Sequence, residues 1–193
     1  MAANEEIVAE AEKLALQEIE KYDWPTPVFF EVSNIKGLEL AKKLSADIFI
    51  VQIGTRLMDF KLGQALQEKR QNEHVKMSAE AAEEFLNRYK IDEKIKIKII
   101  NCIEAHHKEV PYMCKEAEIV ANADCYRFLT ARGFFSAVIG YAKMGLGFDD
   151  ALNRIEGKVD EKAAIVSLDI VRKELDPFYL QIKKFIREAR ELS

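Results

Sequence analysis

Cys102-Ile103-Glu104-Ala105-His106-His107, followed after a short loop by Glu116-Ala117-Glu118-Ile119-Val120-Ala121-Asn122-Ala123-Asp124, is the stretch on which the reading of the fold turns. Read as two helices, it puts His106 on a face with Ile99, Cys102 and Ile103, and Asp124 on a face with Ala117, Val120, Ala121 and Phe128, by the three- and four-residue spacings that bring side chains together. Each apolar stripe then carries one ionisable group. A carboxylate on such a face needs a cation, a metal or several donors opposite it, because its desolvation is otherwise uncompensated.

Working outward, the helical pattern continues in both directions. The segment after Pro111 extends as a helix from about Lys115 to Arg132. Upstream, Lys94-Ile-Lys-Ile-Lys-Ile-Ile100 alternates with a period of two, which suits a strand, but Asp92 as an N-cap and the continuation through Ile103 to His106 favour a helix. His74 begins an amphipathic segment, with Met77, Ala81 and Phe85 following along its apolar stripe. Asp47 opens a helix whose Ile48-Phe49-Ile50-Val51-Gln52-Ile53 run is apolar on all sides. A strand competes for that run, but Arg56-Leu57-Met58-Asp59-Phe60-Lys61-Leu62 extends it with no turn signal. Before it come a helix from about Val28 to Ser45, a break at Asp23-Trp24-Pro25-Thr26-Pro27, and a surface helix over residues 4 to 22 with Asn4 as its N-cap.

At the far end, Gly133 and Gly140 flank a short apolar segment. Gly145-Leu-Gly147 breaks the chain before a long charged helix from Asp149, with an interruption expected near Gly157. Pro177 then separates a last helix reaching Arg190. This amphipathic tail carries no chemistry of its own on this reading and serves packing or dimerisation. Four prolines and eight glycines in 193 residues, with 49% hydrophobic and 32% charged side chains, fit an all-α chain with a sizeable core.

The net charge of −4 has both signs interspersed, so there is no basic footprint for nucleic acid. No window reaches the roughly 18 uncharged apolar residues of a membrane span. Cys102, Cys114 and Cys125 have no CxxC spacing and read as reduced thiols, and the acidic N-terminus does not read as a signal peptide, so a cytoplasmic location is expected.

Asp59, His74, the His106-His107 pair and Asp124 thus lie at four points of the chain, read as four different helices, each interrupting or capping an apolar stripe. Imidazole and carboxylate groups projecting from separate helices are how bundles hold Zn, Mn, Fe or Ni. The bland alternative is that the histidines are satisfied core or surface groups and that Asp59 or Asp124 pairs with a nearby Arg or Lys.

Taken in order, Arg56-Leu57-Met58-Asp59, Glu73-His74-Val-Lys-Met-Ser78-Ala79, Ala105-His106-His107 and Ala121-Asn122-Ala123-Asp124 resemble the HD superfamily of metal-dependent phosphohydrolases over about residues 28 to 130. The resemblance implies one HD-type all-α domain over 1–193, its core at about 28–130 and the helices of 133–193 packed on it. It implies a divalent ion (Mn, Fe, Ni, Zn or Mg) held by Asp59, His74, His106 and Asp124, with Asp59 and Asp124 also catalytic. His107 would be an outer or substrate-facing group, and Lys61, Lys69 and Arg70 would be phosphate contacts. The expected activity is hydrolysis of a nucleotide or other small phosphoester, with a homodimer as one option for the assembly. The alternative is a catalytically inactive HD-like domain that binds a metabolite, nucleotide or protein partner. Two positions depart from the family pattern: Met58 stands where the His of its His-Asp pair is expected, and Phe29 or a neighbour where its first His is expected.

Overall fold

The helix Lys115–Leu129 (α7) is buried around almost its whole circumference, and the rest of the chain is arranged about it. Its sequence has no single apolar stripe. Instead Ala117, Ala121 and Ala123, all fully buried, let neighbouring helices approach from several sides. The computed structural model describes residues 2–191. In chain order the helices are α1 (Ala2–Tyr22), α2 (Pro27–Lys43), α3 (Ile48–Leu57), α4 (Leu62–Gln67), α5 (His74–Leu86), α6 (Glu93–Glu104), α7, α8 (Ala131–Lys143), α9 (Phe148–Ile165) and α10 (Asp169–Glu191). There is no strand among the described residues, and the architecture is a single-domain all-α bundle. Helices α2, α3, α6, α8, α9 and α10 all pack on α7.

Caps set most boundaries. Asp47 accepts hydrogen bonds from Phe49 N (2.9 Å) and Ile50 N (3.3 Å), which commits the Ile48–Ile53 run to helix rather than strand. Asp92 does the same for α6 through Lys94 N at 2.7 Å. Thr26 accepts from Phe29 N, and Pro27 occupies the first position of α2, where its missing N–H costs nothing. Where α3 crosses α6 and α7, a Cβ on Gly54 would lie 2.8 Å from Cys102 Cβ and 2.9 Å from Val120 Cγ2, so only glycine permits that approach. Asn122, fully buried on α7, accepts from Ser167 N and Leu168 N and so ties the start of α10 to the central helix.

Several expected boundaries shift. Asn4 lies inside α1 rather than capping it. Helix α7 stops at Leu129 because Thr130 is extended and caps α8 through Gly133 N at 3.2 Å, so Arg132, Gly133 and Gly140 all belong to α8. Helix α9 runs through Gly157 without a break, since one exposed glycine weakens a helix without ending it. Pro177 lies within α10, which is continuous over 23 residues; the amphipathic packing of Val171, Leu175, Ile182 and Ile186 outweighs the one hydrogen bond that proline removes. Two shifts bear on the site. Helix α3 ends at Leu57, so Asp59 is in the turn before α4, and α6 ends at Glu104, so His106 and His107 are in the turn that follows it.

No helix of the described residues is long and apolar enough to cross a membrane.

Candidate metal centre

Two turns and two helices bring the site together. The turn after α3 carries Asp59 and is anchored by Lys61 N donating to Ser78 Oγ of α5 at 3.0 Å. The turn after α6 carries His106 and His107, and Asn101 secures the loop beyond it by bonding Pro111 O (3.0 Å) and Met113 N (2.8 Å). His74 is the first residue of α5, and Asp124 sits in the middle of α7.

The ligand-capable atoms of Asp59, His74, His106 and His107 all lie within 4.8 Å of one another. Asp59 Oδ1 is 3.5 Å from His74 Nε2 and 3.5 Å from His106 Nε2. Both Asp59 Oδ1 and His106 Nε2 are buried with no hydrogen-bond partner. The tautomers follow from the other ring nitrogens. His74 Nδ1 is 2.6 Å from Gln71 O and His106 Nδ1 is 2.6 Å from Ile103 O; a carbonyl only accepts, so each Nδ1 carries a proton and, in the neutral ring, the lone pair is on Nε2. His107 Nδ1 lies 3.1 Å from Glu161 Oε1, the carboxylate–imidazole arrangement that orients a metal-ligating histidine. Two imidazole nitrogens and a carboxylate oxygen this close together suit a divalent ion, and the donor set is that of Zn, Mn, Fe or Ni.

Asp124 is outside this group of four. Its Oδ1 accepts from Arg127 Nη1 at 2.7 Å and its Oδ2 is 2.6 Å from Lys162 Nζ, with all three side chains almost completely buried. The same Arg127 Nη1 donates to Asp59 Oδ2, so one guanidinium links the two carboxylates. Asp59 and Asp124 thus each take the cationic partner that was the alternative reading of their sequence positions. Arg127 in turn lies over the Phe29 ring, 4.9 Å from its centroid, and Phe29 is fully buried, as is Met58.

The electrostatics follow from this packing. Burial pushes the Asp59 carboxyl up, but Arg127, His106 and His74 together outweigh it and hold Asp59 well below the usual carboxylate range. Asp124 is likewise lowered, burial being overcome by Lys162 and then Arg127. Burial, helped by His106 and Lys162, lowers His107 to about 4, and burial lowers His74 as well. Both rings are therefore neutral at neutral pH, the form that can bind a metal.

A pH dependence follows, with its sign. His107 takes up its proton near 6.5 in the unfolded chain but only near about 4 in the folded one, so between these values the unfolded state binds more protons. Stability of the metal-free protein then falls as pH falls through that window, by up to about 3 kcal/mol from this group. Urea unfolding at pH 7 and pH 4 should show this loss, and His107→Asn should remove most of it. Equal pH slopes in the two proteins would mean that the folded protein protonates His107 as readily as the unfolded chain does.

These groups open onto a cavity of about 510 Å³ between the turns, α8 and α9. Trp24, Phe29, Phe128 and Tyr141 form its apolar walls, and its cations are Arg127, Arg154, Lys158 and Lys162. Lys61, Lys69 and Arg70 do not line it. Lys61 pairs with Glu18 at 3.1 Å, Arg70 with Glu68 and Glu73, and Lys69 is exposed. Their place as cations near the site is taken by α9, from the tail expected to carry no chemistry, because α9 lies along α7 with Lys162 turned inward. Arg127, Glu161 and Lys162 were missed in the sequence. The available signals are Arg127, three residues after Asp124 on the same helix and so within reach of it, and Lys162, which interrupts the Ile155 and Val159 stripe of α9.

No family model matches the chain. Over 94 residues it is 37% identical to ribonuclease Y of Finegoldia magna (strain ATCC 29328 / DSM 20472 / WAL 2508), a match covering 49% of this chain and 16% of that protein. This chain therefore corresponds to only a small part of that relative. Among solved structures it is similar to Bacillus subtilis YpgQ. The selenomethionine form superposes with a TM-score of 0.67 at 16% identity, covering 98% of this chain and 95% of that one. A second YpgQ structure gives 0.63 at 18% identity, covering 96% of each. At these identities the likeness is one of fold.

Proposed function

We propose that this chain is a metal-dependent phosphohydrolase of the HD type, acting on a nucleotide or other small phosphoester. The observation that carries the reading is the unpartnered Asp59 Oδ1 facing His74 Nε2 and His106 Nε2 at 3.5 Å, with both imidazole tautomers set by backbone carbonyls. Asp59, His74 and His106 would hold the ion, and His107, oriented by Glu161, would complete the set. When bound, such an ion supplies Lewis acidity, lowering the pKa of water and offsetting charge on a phosphoryl oxygen.

The remaining chemistry belongs to the chain. Arg127 keeps Asp59 ionised and fixes its rotamer, leaving Oδ1 free. Arg154 and Lys158 of α9 line the cavity and are suited to grip phosphate oxygens. Tyr141 and Trp24 line the same cavity and would pack against the organic part of the substrate. The cavity volume lies in the range that encloses a small molecule, which together with the mixed-sign surface favours a small phosphoester over a polymer. The relative named a ribonuclease supports phosphoester cleavage as the class of chemistry.

The test is metal analysis of protein purified without added metal, followed by assay of a panel of nucleotides and generic phosphoesters with and without Mn, Fe, Ni, Zn or Mg. Near-stoichiometric metal and metal-dependent phosphate release are expected. Tight metal binding with every phosphoester left intact would overturn the enzymatic reading in favour of a catalytically inactive binding domain.

A further inference from the structure

Two carboxylates face this cavity at its buried end, Asp59 and Asp124, and between them they offer four oxygens. Three are already engaged: Asp59 Oδ2 by Arg127, Asp124 Oδ1 by the same guanidinium at 2.7 Å, and Asp124 Oδ2 by Lys162 Nζ at 2.6 Å. Neither Asp59 Oδ1 nor Asp124 Oδ2 makes a well-angled hydrogen bond, but Asp124 Oδ2 has the Lys162 ammonium against it, whereas the groups against Asp59 Oδ1 are the imidazoles of His74 and His106. Two-ion hydrolytic sites hold their metals about 3.5–4 Å apart and need shared or adjacent carboxylate oxygens to do so. Here the carboxylate that could serve a second ion is covered by an ammonium group.

We infer that Lys162 is a fixed internal cation that stands beside Asp124 in place of a second metal ion, so that the site loads a single divalent ion. This rests on the metal-centre reading above. Lys162 is 2% exposed, comes from α9, and reaches within 3.2 Å of His107 Nδ1 and 3.3 Å of Glu161 Oε1, so it adjoins the ion-binding group without belonging to it. A buried ammonium persists only where carboxylates compensate it, and Asp124 and Glu161 do so here.

The charge balance of the cavity agrees. Its lining carries four carboxylates (Asp59, Asp124, Glu109 and Glu161) and four cations (Arg127, Arg154, Lys158 and Lys162), with neutral histidines. One divalent ion leaves two units of positive charge, matched to a phosphomonoester of about −1.5 to −2. A second ion would add two more units, and the one further lining carboxylate without a cationic partner, Glu109, is an exposed surface group. Lys162 is thus a positioning residue: it holds Asp124 and fixes the number of ions, and the ammonium supplies beside the phosphate a positive charge that needs no loading from solution.

Equilibrium dialysis of metal-free protein against Mn(II), with bound metal counted per chain, tests this independently of turnover. The wild type should saturate at one ion. Lys162→Gln, which frees Asp124 Oδ2 and removes a positive charge, should bind a second, weaker ion. Lys162→Arg, which keeps the cation, should stay at one and guards against misfolding of the glutamine variant, whose fold is checked by circular dichroism. Two ions in the wild type would overturn this inference while leaving the metal centre standing, as would a folded Lys162→Gln still saturating at one. No bound ion in the wild type would overturn both.

Discussion

Asp59→Asn should leave a folded chain that binds a divalent ion at least about 100-fold more weakly and has no measurable phosphoesterase activity. Loss of a mere outer hydrogen-bond partner of a metal ligand costs about 10–100-fold in affinity, and on the proposed reading Asp59 would be a direct ligand. It is also the only carboxylate among the four candidate ligands, the others being imidazoles. The amide keeps the shape and can still accept from Arg127, so the fold should survive. Mn(II) titration followed by calorimetry reads the affinity, and the phosphoester panel reads the activity. Unchanged metal binding in the folded variant would remove Asp59 from the site and, with it, the reading of this cluster as a metal centre.

The second large effect is on stability. Arg127→Leu should cost the metal-free protein about 3–5 kcal/mol, the usual consequence of stranding a buried charge by deleting its partner. Arg127 is 4% exposed, and burial alone would lower its pKa, yet Asp59 and Asp124 together raise it; the guanidinium is as necessary to them as they are to it. Lys162 can still neutralise Asp124 in the variant, so the stranded charge is that of Asp59. Saturating Mn(II) should therefore restore more stability to Arg127→Leu than it adds to the wild type, because the ion supplies the missing positive charge at Asp59 as well as the ordinary stabilisation by binding. Urea unfolding with and without metal measures both quantities. A destabilisation below about 1 kcal/mol would show that the two carboxylates do not depend on this cation.

Helical character, the order of the elements and the polar interruptions of the apolar stripes were legible in the amino acids alone. Those features are local. Asp47 and Asp92 are N-caps by their chemistry, the three- and four-residue spacing around Ile99, Cys102 and Ile103 is a helix face whatever packs on it, and a histidine or carboxylate on such a face demands a partner. The same local logic misplaced the ends. Periodicity places Asp59 and His106 on helices, yet both lie in the turns just beyond them, because the pattern continues past the point where the backbone turns.

The partners of those groups were decided only by the tertiary structure. Lys162 and Glu161 stand about forty residues beyond Asp124, on a helix whose sequence reads as a plain amphipathic surface element. Within α9, Lys162 continues the stripe of Ile155 and Val159 by helical spacing, but that spacing does not say which carboxylate it meets. That pairing arises when α9 lies along α7 and closes over Asp124. Likewise, the choice between a free Asp124 and one held by two cations is a matter of a few ångströms across helices. An ionisable group's need for a counter-charge is set by its own chemistry and is visible in one dimension; which group answers it depends on through-space distance, which the chain acquires only when it folds.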